Sequence, residues 1–191
     1  MKTMEHQKHF FFAVKIPDET KQIMKILCGK LKETLPFKSW VHHEDLHITL
    51  AFLGFAPADK IEKSAQNVLK AAAESNSFDL SIYKLGTFGK QDSPRIFFAD
   101  TIESDELQLL RQHVFKACEQ AGFELETRPF RPHITLARKW AGAEPFQKES
   151  LDLWKEIQPE PIQFKAASVA LYQTNLQKSP KYEEVRLFSL E

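Results

Sequence analysis

Apolar positions along the chain fall into short continuous or alternating blocks separated by helical stripes, and each block ends at a proline, a glycine or a polar cluster. Residues 10–16 are almost wholly apolar and stop at Pro17, which predicts a buried central strand. Ile23, Leu27, Leu31 and Leu35 then recur at helical spacing, with lysines on the opposite face, until Pro36. Trp40 and Val41 begin a second extended stretch, and residues 46–53 form a strand broken by Gly54 and Pro57. A second helix is predicted over 58–75 from Ile61, Ala65, Val68, Leu69 and Ala72, followed by a strand over 78–88 and a turn-rich segment up to Pro94.

The order then repeats. A strand over 95–100 precedes a helix that starts at Ser104 and buries Leu107, Leu110, Val114, Ala117 and Ala121 before Gly122 stops it. Further strands are expected over 131–139, 162–173 and 182–190, with a short helix over 150–157 and a loop over 174–180. His47-Ile48-Thr49-Leu50-Ala51 returns unchanged as His133-Ile134-Thr135-Leu136-Ala137, 86 positions later. Phe11-Phe12-Ala13 and Phe97-Phe98-Ala99, Phe78 and Phe164, and Leu85 and Leu171 share that offset. A fixed internal period marks a duplicated unit. The expectation is an α+β fold made of two β-α-β-α-β repeats, about 9–90 and 94–190, in one bilobal domain over 1–191. A pseudo-twofold axis would set antiparallel-rich sheets along a central cleft, with helices outside.

Composition narrows the function. A hydrophobic content of 42% in 191 residues supports a substantial core. Lysine plus arginine equals aspartate plus glutamate, 26 each, so no global field favours nucleic acid and an anionic ligand must be drawn by a local patch. Cys28 and Cys118 lack metal-site or redox-motif spacing and read as buried free thiols. Residues 1–9 are polar, and the apolar run after them is too short for a signal-peptide core or a membrane span. A monomeric, soluble, cytoplasmic protein is expected.

In an extended strand, side chains two apart share a face. His47 and Thr49, and likewise His133 and Thr135, therefore look into the cleft while Ile and Leu anchor each strand. Either copy alone would be an unremarked strand sequence. Their retention in both halves of a chain that has diverged elsewhere points to chemistry. Two opposed imidazoles suit displacement at phosphorus: one takes a proton while the other gives one, on opposite sides of an in-line reaction. The threonine hydroxyls would donate to the phosphate oxygens. A metal site fits less well, because two His with two Thr make a poor donor set and Glu44 and Asp45 have only Phe130 and Arg131 opposite them. Arg128, Arg131, Arg138 and Lys139 form a basic cluster around the second motif. Arg138 is the candidate phosphate ligand among them, but it reaches the histidine face only if the strand bends. Trp40, Phe52, Phe88 and Trp140 could stack a base, whereas His42 and His43 read as loop residues.

These residues resemble the 2H phosphoesterases, and within them the RNA 2′,3′-cyclic phosphodiesterases once called 2′-5′ RNA ligases. The resemblance rests on the Phe-Phe-Ala strand ending at Pro17, on Trp40 upstream of Leu46-His47-Ile48-Thr49-Leu50, on Phe52-Leu53-Gly54, and on Arg131-Pro132-His133-Ile134-Thr135-Leu136-Ala137-Arg138. It implies metal-independent hydrolysis of a 2′,3′-cyclic phosphate at an RNA end, tRNA-like or oligonucleotide, to a 2′-phosphate, with no cofactor and with 2′-5′ ligation as the reverse. On that resemblance His47 is the proton donor, His133 the proton acceptor, and Thr49 and Thr135 bind phosphate. The chain departs at Ala51, where relatives often have Lys or Arg, which leaves one flank of the cleft with less positive charge. The rival readings are a phosphodiesterase for cyclic nucleotides or other small cyclic phosphates, and a non-catalytic module that binds RNA ends.

Overall fold

The computed structural model describes residues 8–191. Its strands are β1 (Phe10–Lys15), β2 (Phe37–Trp40), β3 (His47–Gly54), β4 (Phe78–Gly89), β5 (Pro94–Thr101), β6 (Ile134–Trp140), β7 (Ile162–Ala166), β8 (Ser168–Thr174) and β9 (Tyr182–Ser189). The helices are α1 (Asp18–Thr34), α2 (Ala58–Ala73), α3 (Asp105–Gln120) and α4 (Leu153–Ile157). Asp18 and Glu19 occupy the first turn of α1, where the helix dipole favours negative charge. The Ser104 hydroxyl caps α3 by accepting from the Leu107 N–H, and Gly122, at φ +94°, lets the chain leave that helix. The buried stripe of α1 runs through Met24, Leu27 and Leu31, whereas Ile23, expected inside, lies on its flank and is exposed, as is Leu69 of α2. Among the described residues no helix is long and apolar enough to cross a membrane.

The strands form two antiparallel sheets, ordered β3-β1-β8-β9 and β2-β6-β5-β4-β7. The stretch expected as one strand over 162–173 is interrupted at Ala167: β7 pairs with β4 in the second sheet, and β8 pairs with β1 in the first. Each sheet thus joins strands from both sequence repeats. The chain therefore crosses from one sheet to the other at Ala167.

The single offset of 86 also gives way to a more detailed register. Thr49 lies opposite Ala13 and Thr135 opposite Phe98, so β1 and β5 correspond at 85 positions. Ala13 lies opposite Ala170 and Phe98 opposite Gly86, so β4 and β8 correspond at 84. Only the motif strands keep 86. The repeated Phe-Phe-Ala is therefore a near coincidence of composition: Phe12 is matched in space by Phe97, both fully buried, and Ala13 is matched by Phe98.

One continuous core fills the space between sheets and helices, from Phe12 and Met24 to Trp154 and Phe188. A smaller apolar group of Phe11, Ala13, Ala170 and Tyr172, with Tyr182 against it, covers the opposite face of the first sheet. That second face carries the candidate site.

Candidate active site

β3 and β6 approach within 8 Å between Cα atoms, which brings the two motifs into one cleft. The segment joining β2 to β3 ties them together. Val41 donates its N–H to the Leu136 carbonyl of β6 at 2.9 Å, and after five residues the chain enters the first sheet at His47. In between, the buried Asp45 side chain accepts the N–H groups of Lys181 and Tyr182, each at 3.0 Å, which fixes the start of β9.

The two histidines are held alike. His47 Nδ1 meets the Asp45 carbonyl at 2.7 Å, and His133 Nδ1 meets the Arg131 carbonyl at 2.8 Å. A carbonyl only accepts, so Nδ1 carries the proton and Nε2 is left for the cleft. His47 Nε2 is 3.0 Å from the Thr49 hydroxyl, which donates to it when the ring is neutral. The motif thus positions its own ring with the residue two before it and the residue two after it.

Each ring has an aromatic wall. His47 lies 4.8 Å from Phe11 and 5.2 Å, edge-on, from Tyr182, with Tyr172 at 6.2 Å between ring centroids. His133 lies 5.0 Å from Phe88, edge-on, and 5.4 Å from Phe98. Removal from water disfavours the charged imidazolium, so burial lowers both pKa values. His47 is pushed down to about 4; its bond to the Asp45 carbonyl opposes this, and the nearby charge of His133 adds to it. His133 is lowered in the same way, with the Arg131 carbonyl and the Asp100 carboxylate opposing. Asp100 is itself raised by burial and lies 3.8 Å from Lys84. Both rings feel the charge of Arg138.

The bend that Arg138 requires is present as a bulge. Opposite β5, Thr135 pairs with Phe98 and Ala137 with Phe97, so Leu136 is an extra residue that reverses the alternation. Arg138 then falls on the same face as Thr135. The same bulge occurs at Leu50 in β3, which puts Phe52 on the cleft face and leaves Ala51 buried opposite Phe12. The side chain facing the cleft on that flank is thus the uncharged Phe52, and Ala51, the position of the departure, points into the core. Arg128 pairs with Glu126 at the surface, Arg131 borders a hollow with Phe130 beyond His133, and Lys139 turns away at φ +59°. Of the aromatic candidates, Phe52 is 58% exposed and Phe88 packs on His133. Trp40 packs on Phe37 and Phe97, and Trp140 packs on Phe37 and Phe146 with its N–H on the Glu144 carbonyl. Burial pushes the thiols of Cys28 and Cys118 up to about 12, and both are free. Among the described residues, no group of three or more His, Cys, Asp or Glu side chains is arranged to hold a metal ion.

A family model described as the 2′-5′ RNA ligase superfamily matches residues 11–178. The chain belongs to this superfamily. A Geobacillus stearothermophilus protein named RNA 2′,3′-cyclic phosphodiesterase is 43% identical over 184 residues, which are 96% of this chain and 58% of that relative, so the chain spans a little over half of its length. The Bacillus subtilis protein of the same name is 35% identical over 182 residues, covering 95% of this chain and 96% of the relative. In structure, the chain is similar to E. coli LigT complexed with 3′-AMP, with a TM-score of 0.75, 21% identity, and coverage of 96% and 98% of the two chains.

In this member of the 2′-5′ RNA ligase superfamily, sequence reasoning passed over Asp45, Asp100, Tyr172 and Tyr182. Asp45 and Arg131 share one task through their carbonyls, so comparing side chains at those positions carried no signal; the shared spacing of two before each histidine did. Tyr172 and Phe88 correspond at the offset of 84 and flank the two rings. That match is hidden when one offset is applied to the whole chain.

Proposed function

We propose that this protein hydrolyses the 2′,3′-cyclic phosphate at an RNA end to a 2′-phosphate, with His47 as proton donor and His133 as proton acceptor. The carrying observation is that both imidazoles enter one cleft with Nδ1 committed to a backbone carbonyl, which leaves Nε2 as the nitrogen for proton transfer; on His47, among the described residues, it is bonded only to the Thr49 hydroxyl. Water attacks phosphorus as His133 Nε2 takes its proton. The bond from phosphorus to O3′ breaks as His47 Nε2 delivers a proton to O3′, leaving a 2′-phosphomonoester and a 3′-hydroxyl. Proton exchange with solvent then restores both rings. Each transfer contributes roughly 10² to 10⁴ in rate.

The surroundings support this direction. When His133 takes a proton it becomes imidazolium, and the Asp100 carboxylate favours that charge. Loss of water lowers the His47 pKa to about 4 despite the opposing Asp45 carbonyl and charge, so its proton is weakly held and readily given. An anionic phosphate between the rings raises the His47 pKa and loads the acid as the substrate binds. Thr49, Thr135 and Arg138 hold the non-bridging oxygens. The mechanism as written uses no metal ion. With a 5′-hydroxyl in place of water as the nucleophile, the same two proton transfers would open the 2′,3′-cyclic phosphate into a 2′-5′ link, and the reverse of that step would return the cyclic phosphate and the free 5′-hydroxyl.

The test is incubation of an oligonucleotide ending in a 2′,3′-cyclic phosphate with protein and chelator, with the product read by ³¹P NMR. A 2′-phosphomonoester formed at an undiminished rate is expected. Turnover abolished by chelator would overturn the metal-free mechanism, and binding without any turnover would favour an RNA-end-binding module.

A further inference from the structure

Beside the histidine cleft lies a second hollow of about 270 Å³, bordered by Ser39, Trp40, His42, Arg138, Lys178 and Lys181, with Asp45 at its inner side. Arg138 belongs to both spaces. Lys178 and Lys181 come from the loop between β8 and β9, which the sequence motifs leave without a role. In a chain whose charges cancel overall, Arg138, Lys178 and Lys181 at one hollow outnumber the Asp45 carboxylate in its lining, which makes it a local site for an anion. The Asp45 carboxylate offsets part of this charge, but both its oxygens accept the N–H groups of Lys181 and Tyr182 and it forms no ion pair with any of the three cations among the described residues. Among the described residues Arg138 and Lys181 form no ion pair, and Lys178 is oriented by Glu183 at 3.2 Å. Glu183 is held in turn by the side-chain amides of Gln173 and Asn175, so the loop is braced from below.

We infer that this hollow is a second phosphate subsite, which takes the 5′-phosphate of the terminal nucleotide while the cyclic phosphate sits between the histidines. The inference rests on the phosphodiesterase reading and deepens it, because it says which residues would favour a 5′-phosphorylated terminal nucleotide over a nucleoside cyclic phosphate. An RNA strand carries its next charge one nucleotide from the end, and Arg138, at the junction of the two spaces, bridges the two anions. Trp40 supplies a rigid edge against the sugar between them.

The experiment compares kcat/KM for adenosine 2′,3′-cyclic phosphate, the same nucleotide bearing a 5′-phosphate, and the dinucleotide ApA ending in a 2′,3′-cyclic phosphate. The 5′-phosphate should raise kcat/KM about ten-fold or more, as expected of a charge-assisted contact. In Lys178→Ala/Lys181→Ala that ratio should fall towards one, while Lys181→Arg should keep it. The backbone N–H that Lys181 gives Asp45 survives either change. The salt dependence of the 5′-phosphorylated substrate should also become shallower in the double variant, because fewer charges attract it. Dissociation constants of adenosine 2′-phosphate and adenosine 2′,5′-bisphosphate are read in parallel. Absence of turnover on every substrate would overturn the phosphodiesterase reading, while the ratio of the two constants still decides the subsite. Equal rates and equal constants with and without the 5′-phosphate, or a preference unchanged in the double variant, would overturn the subsite. A preference that first appears with the second nucleoside would also overturn it, by assigning the hollow to a base.

Discussion

The two halves of the cleft share a backbone and differ in almost every side chain around it. In both, a histidine is fixed by the carbonyl two residues before it, a threonine follows at two, and a bulged leucine, Leu50 or Leu136, reverses the strand's alternation. Yet the residue that the bulge delivers to the cleft is Phe52 on one side and Arg138 on the other. The residue beside His47 in register is Lys15, tied to Glu184 at 2.8 Å, and its counterpart near His133 is Asp100. Ala170 has the small Ala13 opposite it in β1, whereas the matching position 86 must be glycine because the Phe98 ring lies across it. In the proposed mechanism, duplication supplies two alike imidazoles and divergence around them gives the pair a direction.

The sharpest way to break that comparison is through the bulge residues. Arg138→Ala should raise KM for a cyclic phosphate roughly 10- to 100-fold, since a charge-assisted hydrogen bond is worth ~1.5–3 kcal/mol. Phe52→Ala should change it only a few-fold, as read in steady-state kinetics. If the two losses are equal, the cleft is not polarised.

Next in size is the pH dependence of stability. The unfolded His47 titrates at its ordinary 6.5 and the folded one at about 4. Between these values the unfolded chain holds more protons, so stability is lost as pH falls from about 6.5 towards about 4. The loss is on the order of 2 kcal/mol by pH 5, measurable from urea midpoints. The groups acting on the ring are Phe11, Tyr172, Tyr182, Thr49, His133, Arg138 and Asp45, and the negative charge of Asp45 only partly offsets the loss of water, which is the largest effect. Saturating adenosine 2′-phosphate should shrink the loss, because it favours the imidazolium.

The glycine contrast is smaller. A Cβ on Gly86 would come within 2.5 Å of the Phe98 ring, which in turn supports His133. Gly86→Ala should cost ~1–3 kcal/mol by overpacking and lower kcat. The opposite change at the matching site, Ala170→Gly, should cost under ~1 kcal/mol and leave kcat unaltered. The smallest expected effect is from Asp100→Asn. Removing that charge should lower the His133 pKa, so the acidic limb of the kcat/KM profile should move to lower pH by less than about one unit.

Much of this was legible in the sequence. Hydrophobic period placed the helices and most strands, and the repeated pentapeptide selected His47, Thr49, His133 and Thr135 before any geometry was known. Local pattern does not encode which sheet a strand joins, so the break at Ala167 went unread: both halves of that stretch are apolar enough to be buried. A bulge leaves no mark in composition either. Leu50 and Leu136 look like any anchoring leucine, and only the pairing across the sheet exposes them as extra residues that turn Phe52 and Arg138 inwards. Asp45 was passed over because its carboxylate serves the backbone of a loop more than 130 positions away.

The direct test of the polarised clamp is turnover of a cyclic substrate in which sulfur replaces the bridging O3′, since a thiolate leaves without needing a proton. On this substrate His47→Ala should run near the wild-type rate, while His133→Ala should stay slower by roughly 10² to 10⁴. Rescue of His133→Ala in place of His47→Ala would reverse the assignment, and rescue of neither would contradict proton transfer by this pair of rings.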